Sequence, residues 1–401
     1  MIRPSHSLFI FACLIVGLLC SDSARGDEPR FKVEPQVVFE HDDGVFLWYH
    51  PRVASIPTAD AAAPIAMMTL QKHLHVSDYY SGLFFMTSRD LGKTWTGPTE
   101  IPSLAWQKSA DDSTIAVCDV TPGWHEPTKK MLAIGVKVLY TPKGKQIVVT
   151  PRSHEVAYAI YDPAKNEWSA WQFVELPKTE DKYFLAVAGC CQWLVEPDGR
   201  LLIPIYHKGP TGKAYSSTVI RCAFDGQKMK LVEEGTALTL DEERGVYEPS
   251  LAKVGETFYL TLRNDLRGYV TTSKDGLHYE PIRPWKFDDG SDLGSYNTQA
   301  HWLTHGDDLY LVYTRSGANN DHIMRHRAPL FIAEIDKVNL VVKRSTEQVA
   351  IPERGGEMGN FGASMITPNE SWITVGEGVW NEDARRRGAK GALFISRVTF
   401  R

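Results

Sequence analysis

The 401-residue chain carries 44 Lys and Arg against 49 Asp and Glu, a formal charge of −5, with 43% hydrophobic and 11% aromatic residues. This is the composition of a folded globular protein with enough apolar surface for one large domain or two ordinary ones, and it excludes a disordered chain. With the charge mildly negative, the basic run ARRRGAK (Ala384 to Lys390) reads as a solvated hairpin tip, and nucleic acid is not an expected partner.

The chain opens with MIRPSHSLFIFACLIVGLLCSDSARG: a basic start, an apolar run from Leu8 to Cys20, then Ala24 and Gly26 at small-residue spacing. This reads as a cleavable secretory signal over residues 1–26, with the folded part spanning 27–401. Lipoprotein processing at Cys20 is the alternative, opposed by Leu19 where a small residue is wanted. The apolar run falls short of the roughly 20 residues of a membrane helix, and no later segment approaches that length. The expectation is a secreted or periplasmic protein with no membrane span; the oligomeric state stays open.

Beyond the leader, sustained 3.6-residue periodicity is almost absent, and runs of five to eight β-branched, aromatic and aliphatic residues alternate with Asp-Gly, Pro and Gly turns. A two-part unit recurs at roughly 50 to 70 residue spacing, the kind of period that marks a propeller or array. Its first part is a strand, a polar turn and a strand. In chain order it appears loosely at ASIPTADAAAPIAMMTL and TPGWHEPTKKMLAIGV, then clearly at QWLVEPDGRLLIPIYH, SLAKVGETFYLTLR, AHWLTHGDDLYLVYTR and ASMITPNESWITVGE. The second part is a strand ending in an Asp-containing turn, as in FMTSRDLGKTW, YAIYDPAKNEWSAW, VIRCAFDGQKMKLV, YVTTSKDGLHYEP and FIAEIDKVNLVV. A sixth is completed by LFISRVTF at the C-terminus closing against RFKVEPQVVFE near the N-terminus. Six units of four strands predict an all-β, six-bladed β-propeller with four-stranded antiparallel blades. A two-domain sandwich is the alternative.

In SRDLGKTW, Ser88 and Asp90 are placed to accept backbone N–H groups, Gly92 to supply positive φ, and Trp95 to pack beneath the hairpin; Asp275 in SKDGLHY repeats the arrangement. Both aspartates therefore read as turn residues. Cys118, Cys190, Cys191 and Cys222 lie beyond the leader without a C-x-x-C pair, which predicts buried thiols, one disulfide being the alternative. Neither H-E-x-x-H nor an acidic calcium loop is present, GPTGK at Gly209 is too short for a phosphate loop, and no cofactor or metal is implied.

The pattern Ser88-x-Asp90-x-Gly92-x-Thr94-Trp95 resembles the Asp box, or BNR repeat, of the sialidase (neuraminidase) superfamily, whose members are six-bladed propellers. The resemblance extends over nearly all of 27–401. It implies Arg52 of WYHPRVASIP as a substrate-binding arginine and Asp78 of HVSDYYSG as the general acid and base, ahead of the box at Ser88. It further implies Glu248 as a catalytic carboxylate with Arg263 fifteen residues on, a second box at Ser273, and a third arginine among Arg315, Arg325 and Arg327, of which Arg327 is favoured. Where the family carries its tyrosine nucleophile this chain has Asn360 and Phe361, and Val53 and Ala54 follow Arg52 in place of Ile and Pro.

Three guanidinium groups converging on one carboxylate imply an acidic glycan substrate, because each can make a bidentate, charge-assisted contact and none deprotonates. Asp78 would protonate the leaving oxygen and later activate water. Without the usual tyrosine, another phenol such as Tyr247, Tyr296 or Tyr79, or a water activated by Glu248, would have to attack. A uronic acid fits the arginines as well as a sialic acid, and there a plain Asp78 and Glu248 pair could suffice. His50, His301 and His207 stand near inner-strand ends, where scaffold roles are the ordinary reading, and Cys190 and Cys191 read as core residues. The functional expectation is an exported sialidase-like exo-glycosidase. A uronide-processing enzyme, a carbohydrate-binding propeller without turnover and a structural propeller are the alternatives.

Overall fold

Strands rich in Val, Ile, Leu and Tyr, cut by Gly and Asp turns, assemble into six antiparallel sheets in the computed structural model, which describes residues 29–109, 111–147, 154–177 and 182–401. The leader read over residues 1–26 lies outside the described residues. Each sheet is one blade of a six-bladed propeller. From the axis outward, blade 1 is Leu47–Ile56, Ile65–His73, Phe84–Ser88 and Thr96–Glu100. Blade 2 is built on Thr114–His125, Lys130–Tyr140 and Glu155–Asp162, and blade 3 on Leu201–Lys208, Ser216–Phe224 and Met229–Glu234, its inner edge split into Leu185–Val187 and Leu194–Val195. Blade 4 is Tyr247–Val254, Thr257–Arg263, Tyr269–Ser273 and Arg283–Pro284; blade 5 follows with His301–His305, Asp308–Tyr313 and Leu330–Asp336.

Blade 6 closes the ring. Its inner strands Gly362–Thr367 and Glu370–Gly376 are followed by Ala392–Phe400, against which the N-terminal strand Phe31–Glu40 pairs from Phe31↔Phe400 to Glu40↔Ala392. Joining the two ends of the chain in one sheet leaves no open gap between first and last blades. The basic run at Ala384 is a hairpin tip between these strands, but it folds as a six-residue helix, Glu382–Arg387, with the Asn381 side chain capping Ala384 N–H. No helix among the described residues is long and apolar enough to cross a membrane.

Blade faces meet in apolar clusters, such as Tyr310, Leu330, Phe361, Val375 and Phe394 between blades 5 and 6. Gly376 lets blade 6 approach blade 1 closely, since a Cβ there would lie 2.0 Å from the Trp48 carbonyl oxygen. The Ser88 turn is held as its sequence implies. Ser88 Oγ accepts from Gly92 N–H at 2.7 Å, and Asp90 accepts from Thr94 N–H at 2.9 Å and Thr94 Oγ1 at 2.6 Å. These donors, the Thr94 hydroxyl foremost, lower the Asp90 carboxyl to about 2. The turn at Ser273 and Asp275 is alike. Both turns follow third strands, at the end of the propeller opposite the starts of the inner strands.

Mid-channel, buried polar groups tie the blades together. Gln192 donates to the Trp302 and Ala363 carbonyls, and His301 bridges Ser250 Oγ and the Phe361 carbonyl oxygen. Cys118, Cys190, Cys191 and Cys222 are all buried free thiols.

Candidate active site

The channel opens into a different cavity at each end. One, of about 510 Å³, is lined by Val53, Trp124, Trp193, Leu251 and Met365 among other residues, none of them ionisable. The other, of about 580 Å³, gathers Asp78, Asp119, Glu248, Asp265, Arg244, Arg263, Arg325 and Arg327 at the starts of the inner strands. Acid–base or anion chemistry belongs to the second.

A repeated backbone device builds that mouth. The inner strands of blades 1, 2 and 4 each break register at their start, between Tyr49 and Arg52, Cys118 and Thr121, and Tyr247 and Ser250. Within those breaks His50, Asp119 and Glu248 take positive φ of 54°, 56° and 46°. Cys190 (59°) and Asn297 (52°) occupy the equivalent places in blades 3 and 5. Left-handed backbone costs a residue with a Cβ about 1–2 kcal/mol, and such strain concentrates where structure serves a site. Here it brings Asp119, Cys190, Glu248 and Asn297 from four blades to one cavity wall, with buried His50 of blade 1 behind Asp119.

The cationic wall comes from blades 4 and 5. Arg263, 8% exposed, presents Nη1 to both Glu248 oxygens at 2.7 Å and Nη2 to Asn297 Oδ1 at 2.6 Å. Burial opposes its charge, but Glu248 foremost among the nearby anions overcomes this and raises its pKa. Arg327, equally buried, donates through Nε to Thr298 Oγ1 at 3.0 Å and through Nη2 to the Asn297 carbonyl at 2.8 Å. Its Nη1 stands 3.8 Å from Glu357, itself held by the Tyr49 hydroxyl at 2.6 Å and Gly359 N–H at 2.9 Å. Arg244 is satisfied by Asp265 at 2.6 and 2.7 Å and by the Tyr247 hydroxyl. Arg325 is exposed and makes no hydrogen bond or ion pair among the described residues; burial first, then Arg327, Arg263 and Arg244, lower its pKa.

The acidic wall comes from blades 1 and 2. Asp78 is exposed on the loop after Ile65–His73, with φ of 55°. Asp119 lies deeper, its side chain 26% exposed, with Oδ1 2.8 Å from His50 Nε2. Burial opposes the Asp119 charge, but His50 and then Arg52 overcome it and hold the carboxyl well below the usual range.

Of the residues implied by the sequence, Asp78, Glu248, Arg263 and Arg327 therefore line one cavity. Arg52 does not. It sits two residues below the bulge, 2% exposed, with Nη2 3.2 Å from Cys190 Sγ and Nη1 3.4 Å from the Val120 carbonyl. Its position is under the cavity floor, where its charge acts on Asp119. Arg315 is paired with Glu347 away from the cavity, and Arg325 joins Arg327 in it. Phe361 is fully buried against His301 in the core, whereas Asn360 reaches the cavity.

Among the phenols weighed as replacements, Tyr79 stacks on Trp106 and Tyr296 bonds His326 Nδ1 at 2.6 Å; neither lines the cavity. Tyr247 does, but its hydroxyl donates to Asp265 and its ring lies between the Arg244 and Arg263 guanidiniums, 4.8 and 4.7 Å away. Tyr206, which the sequence reading did not single out, also lines the wall; burial first, then Glu248, raises its phenol well above the ordinary value. Asp119, Arg244, Asp265 and Asn297 were likewise missed. A signal for some of them existed: aligning the inner-strand starts YHPR, CDVT, GCCQ, YEPS, YNTQ and GNFG on one another puts His50, Asp119, Cys190, Glu248, Asn297 and Asn360 in a single column.

No protein-family model matches the sequence, and no curated protein sequence matches it. Solved structures do match. Trypanosoma rangeli sialidase superposes with a TM-score of 0.60 at 15% identity, over 91% of this chain and 59% of that one. The Hadza microbial sialidase Hz136 gives 0.61 at 13% identity, over 90% and 68%, and the NanB sialidase of Streptococcus pneumoniae 0.60 at 11%, over 90% and 70%. This chain thus spans well under two thirds of the Trypanosoma sialidase. At such identities the likeness establishes the sialidase-type propeller fold, and with it the six-blade reading; activity has to be argued from the site.

Proposed function

We propose that this cavity receives an acidic sugar at the end of a glycan and that the protein is an exported, sialidase-like glycoside hydrolase. The observation that carries the reading is the polarity of the mouth. Arg325 and Arg327 leave unspent donors on one wall, with Arg263 behind them, and Asp78 and Asp119 face them from the other. Burial first, and then the neighbouring arginines, disfavour the Arg325 charge, an incoming anion would offset both, and a sheltered carboxylate contact is worth more than a surface pair. A carboxylate held on the arginine side turns the glycosidic oxygen toward the acids. Asp78 on the rim is the general acid and base in this reading, and Glu248, locked by Arg263, fixes the guanidinium more than it attacks carbon. The Trypanosoma rangeli sialidase has been solved in complex with sialic acid, which supports that sugar as the first probe.

One observation favours a second reading. Asn360 and buried Phe361 stand where the resemblance places the nucleophile. A uronide, whose carboxylate is remote from the anomeric carbon, does not require a neutral nucleophile and suits a mouth that holds two acids, Asp78 on the rim and the His50-paired Asp119. Incubation with fluorogenic sialosides and uronides separates the two: release from sialosides supports the first reading, release from uronides alone the second. Saturable binding with no release from either would make the protein a carbohydrate-binding propeller.

A further inference from the structure

Arg325 stands in the loop between Asp308–Tyr313 and Leu330–Asp336 of blade 5, and both its backbone and its charge are unfavourably placed. Arg325 and His326 are consecutive left-handed residues, with φ of 56° and 52°, a conformation that opposes any residue with a Cβ. The Arg325 guanidinium lines the cavity and makes no hydrogen bond or ion pair among the described residues; burial, and then Arg327, Arg263 and Arg244, disfavour its charge. Strain of this kind persists only where the surrounding structure over-determines it.

The restraints lie on either side of Arg325. Ahead of it, Ile323 is buried in the core between blades 5 and 6, and its carbonyl accepts from His326 N–H at 3.0 Å. Behind it, Arg327 is tied to Thr298 Oγ1 and the Asn297 carbonyl, and the Arg327 carbonyl accepts from Met358 N–H at 2.7 Å. Fully buried Asn320 closes the base of the loop by donating to the Arg315 and Ala328 carbonyls at 2.9 and 2.6 Å. The His326 ring is gripped by Tyr296, the neighbour of Asn297, whose hydroxyl lies 2.6 Å from Nδ1. Asp321 lies 3.0 Å from Nε2; its carboxylate only accepts, so Nε2 carries hydrogen and the neutral ring takes the Tyr296 O–H at Nδ1. Burial raises the Tyr296 phenol above its ordinary value while Arg325 and then Arg327 oppose the rise, which keeps the hydroxyl a donor within electrostatic reach of both guanidiniums. Three consecutive residues, Tyr296, Asn297 and Thr298, thus fix the two side chains that follow Arg325.

We propose that Tyr296 and His326 are positioning residues that hold Arg325 at the cavity to receive the carboxylate of the sugar. This rests on the acidic-sugar reading above and deepens it. Neither Tyr296 nor His326 lines the cavity, so both act through Arg325. The strained loop keeps a guanidinium with its donors free at the mouth, and the incoming anion does not have to order a long side chain in order to bind.

The test is calorimetric titration with free sialic and glucuronic acids, beside urea denaturation to establish that each variant is folded. The proteins are the wild type, Tyr296→Phe, His326→Ala, His326→Asn, Arg325→Gln, and Tyr296→Phe combined with Arg325→Gln. Tyr296→Phe and His326→Ala should each weaken acid binding roughly 3- to 10-fold, the effect of one neutral hydrogen bond passed on to the site. His326→Asn keeps an acceptor near the place of Nδ1 and tolerates left-handed backbone, so it should bind within about twofold of wild type. In the Arg325→Gln background Tyr296→Phe should change affinity by less than about twofold, because its effect passes through the missing guanidinium; a merely structural role would give the same loss in both backgrounds. Wild-type affinity in Tyr296→Phe, an equal loss with and without Arg325, or His326→Asn as weak as His326→Ala overturns the proposal and leaves the acidic-sugar reading standing. A folded wild type that binds neither acid overturns both.

Discussion

Replacing Arg325 with Gln separates a binding role from a structural one, because the two predict opposite signs. Arg325 makes no hydrogen bond among the described residues, and its charge is disfavoured by burial and by Arg327, Arg263 and Arg244. Neutralising it removes repulsion and no partner. In the ligand-free protein the stability should hold or rise slightly, by about 0.5 kcal/mol after allowing for solvent screening at an exposed site. Binding should respond the other way. Loss of one charge-assisted contact to a carboxylate costs about 1.5–3 kcal/mol, or roughly 10- to 150-fold in Kd. Arg263 behaves differently, since Arg263→Met strands Glu248, 13% exposed, without its bidentate partner and should destabilise the fold by about 3–5 kcal/mol. Urea denaturation beside calorimetric titration with free sialic and glucuronic acids, at low and at physiological salt, measures both quantities. Destabilisation by Arg325→Gln beyond about 1 kcal/mol, or unchanged acid affinity, would refute the reasoning, since either result makes Arg325 a scaffold residue.

Three further outcomes follow from the packing and charges. Phe361→Tyr places a hydroxyl in a fully buried apolar site and should cost about 1–3 kcal/mol without creating activity, checked by denaturant midpoint and turnover; a neutral, active variant would mean that the side chain reaches the cavity. Gly376→Ala should destabilise by about 1–3 kcal/mol, because its Cβ meets the Trp48 carbonyl at 2.0 Å and blades 6 and 1 must separate to accept it. Acid should unfold the protein beginning below about pH 6.5, because burial lowers His301 to about 3 and His207 to about 4. The folded state refuses protons that the unfolded chain binds, so stability is full above 6.5 and is lost as pH falls toward those lower values. A His301→Gln variant should have a shallower loss over that window, read from denaturation midpoints at stepped pH; an unchanged slope would contradict the assignment.

The blade pattern was legible because strand periodicity and turn chemistry are local. SLAKVGETFYLTLR and QWLVEPDGRLLIPIYH fold as hairpins, and the terminal strands meet where their matching apolar faces place them. Glu248, Arg263 and Arg327 also come together, since a strand start and a hairpin spacing fix them in one blade or its neighbour. Arg52 sits deeper than expected because register was invisible: the bulge between Tyr49 and Arg52 shifts the strand, and both His50 and Arg52 are buried behind the cavity wall. Asp119 was missed for the same reason, as CDVTPG shows neither a turn nor an alternation that marks a left-handed residue. Arg244 and Asp265 lie on the loops that flank the first hairpin of blade 4, whose Tyr247↔Arg263 pairing brings them beside Tyr247, and loop residues carry no periodicity that would have marked them.

The central claim is that this mouth selects a sugar by its carboxylate. The direct measurement is calorimetric titration of the wild type with an acidic sugar and with the same sugar after its carboxyl has been reduced to an alcohol, each at two salt concentrations. The account predicts saturable, salt-weakened binding of the acid and at least a tenfold loss on reduction. Equal affinity for the two forms, or acid binding indifferent to salt and to Arg325→Gln, would contradict it.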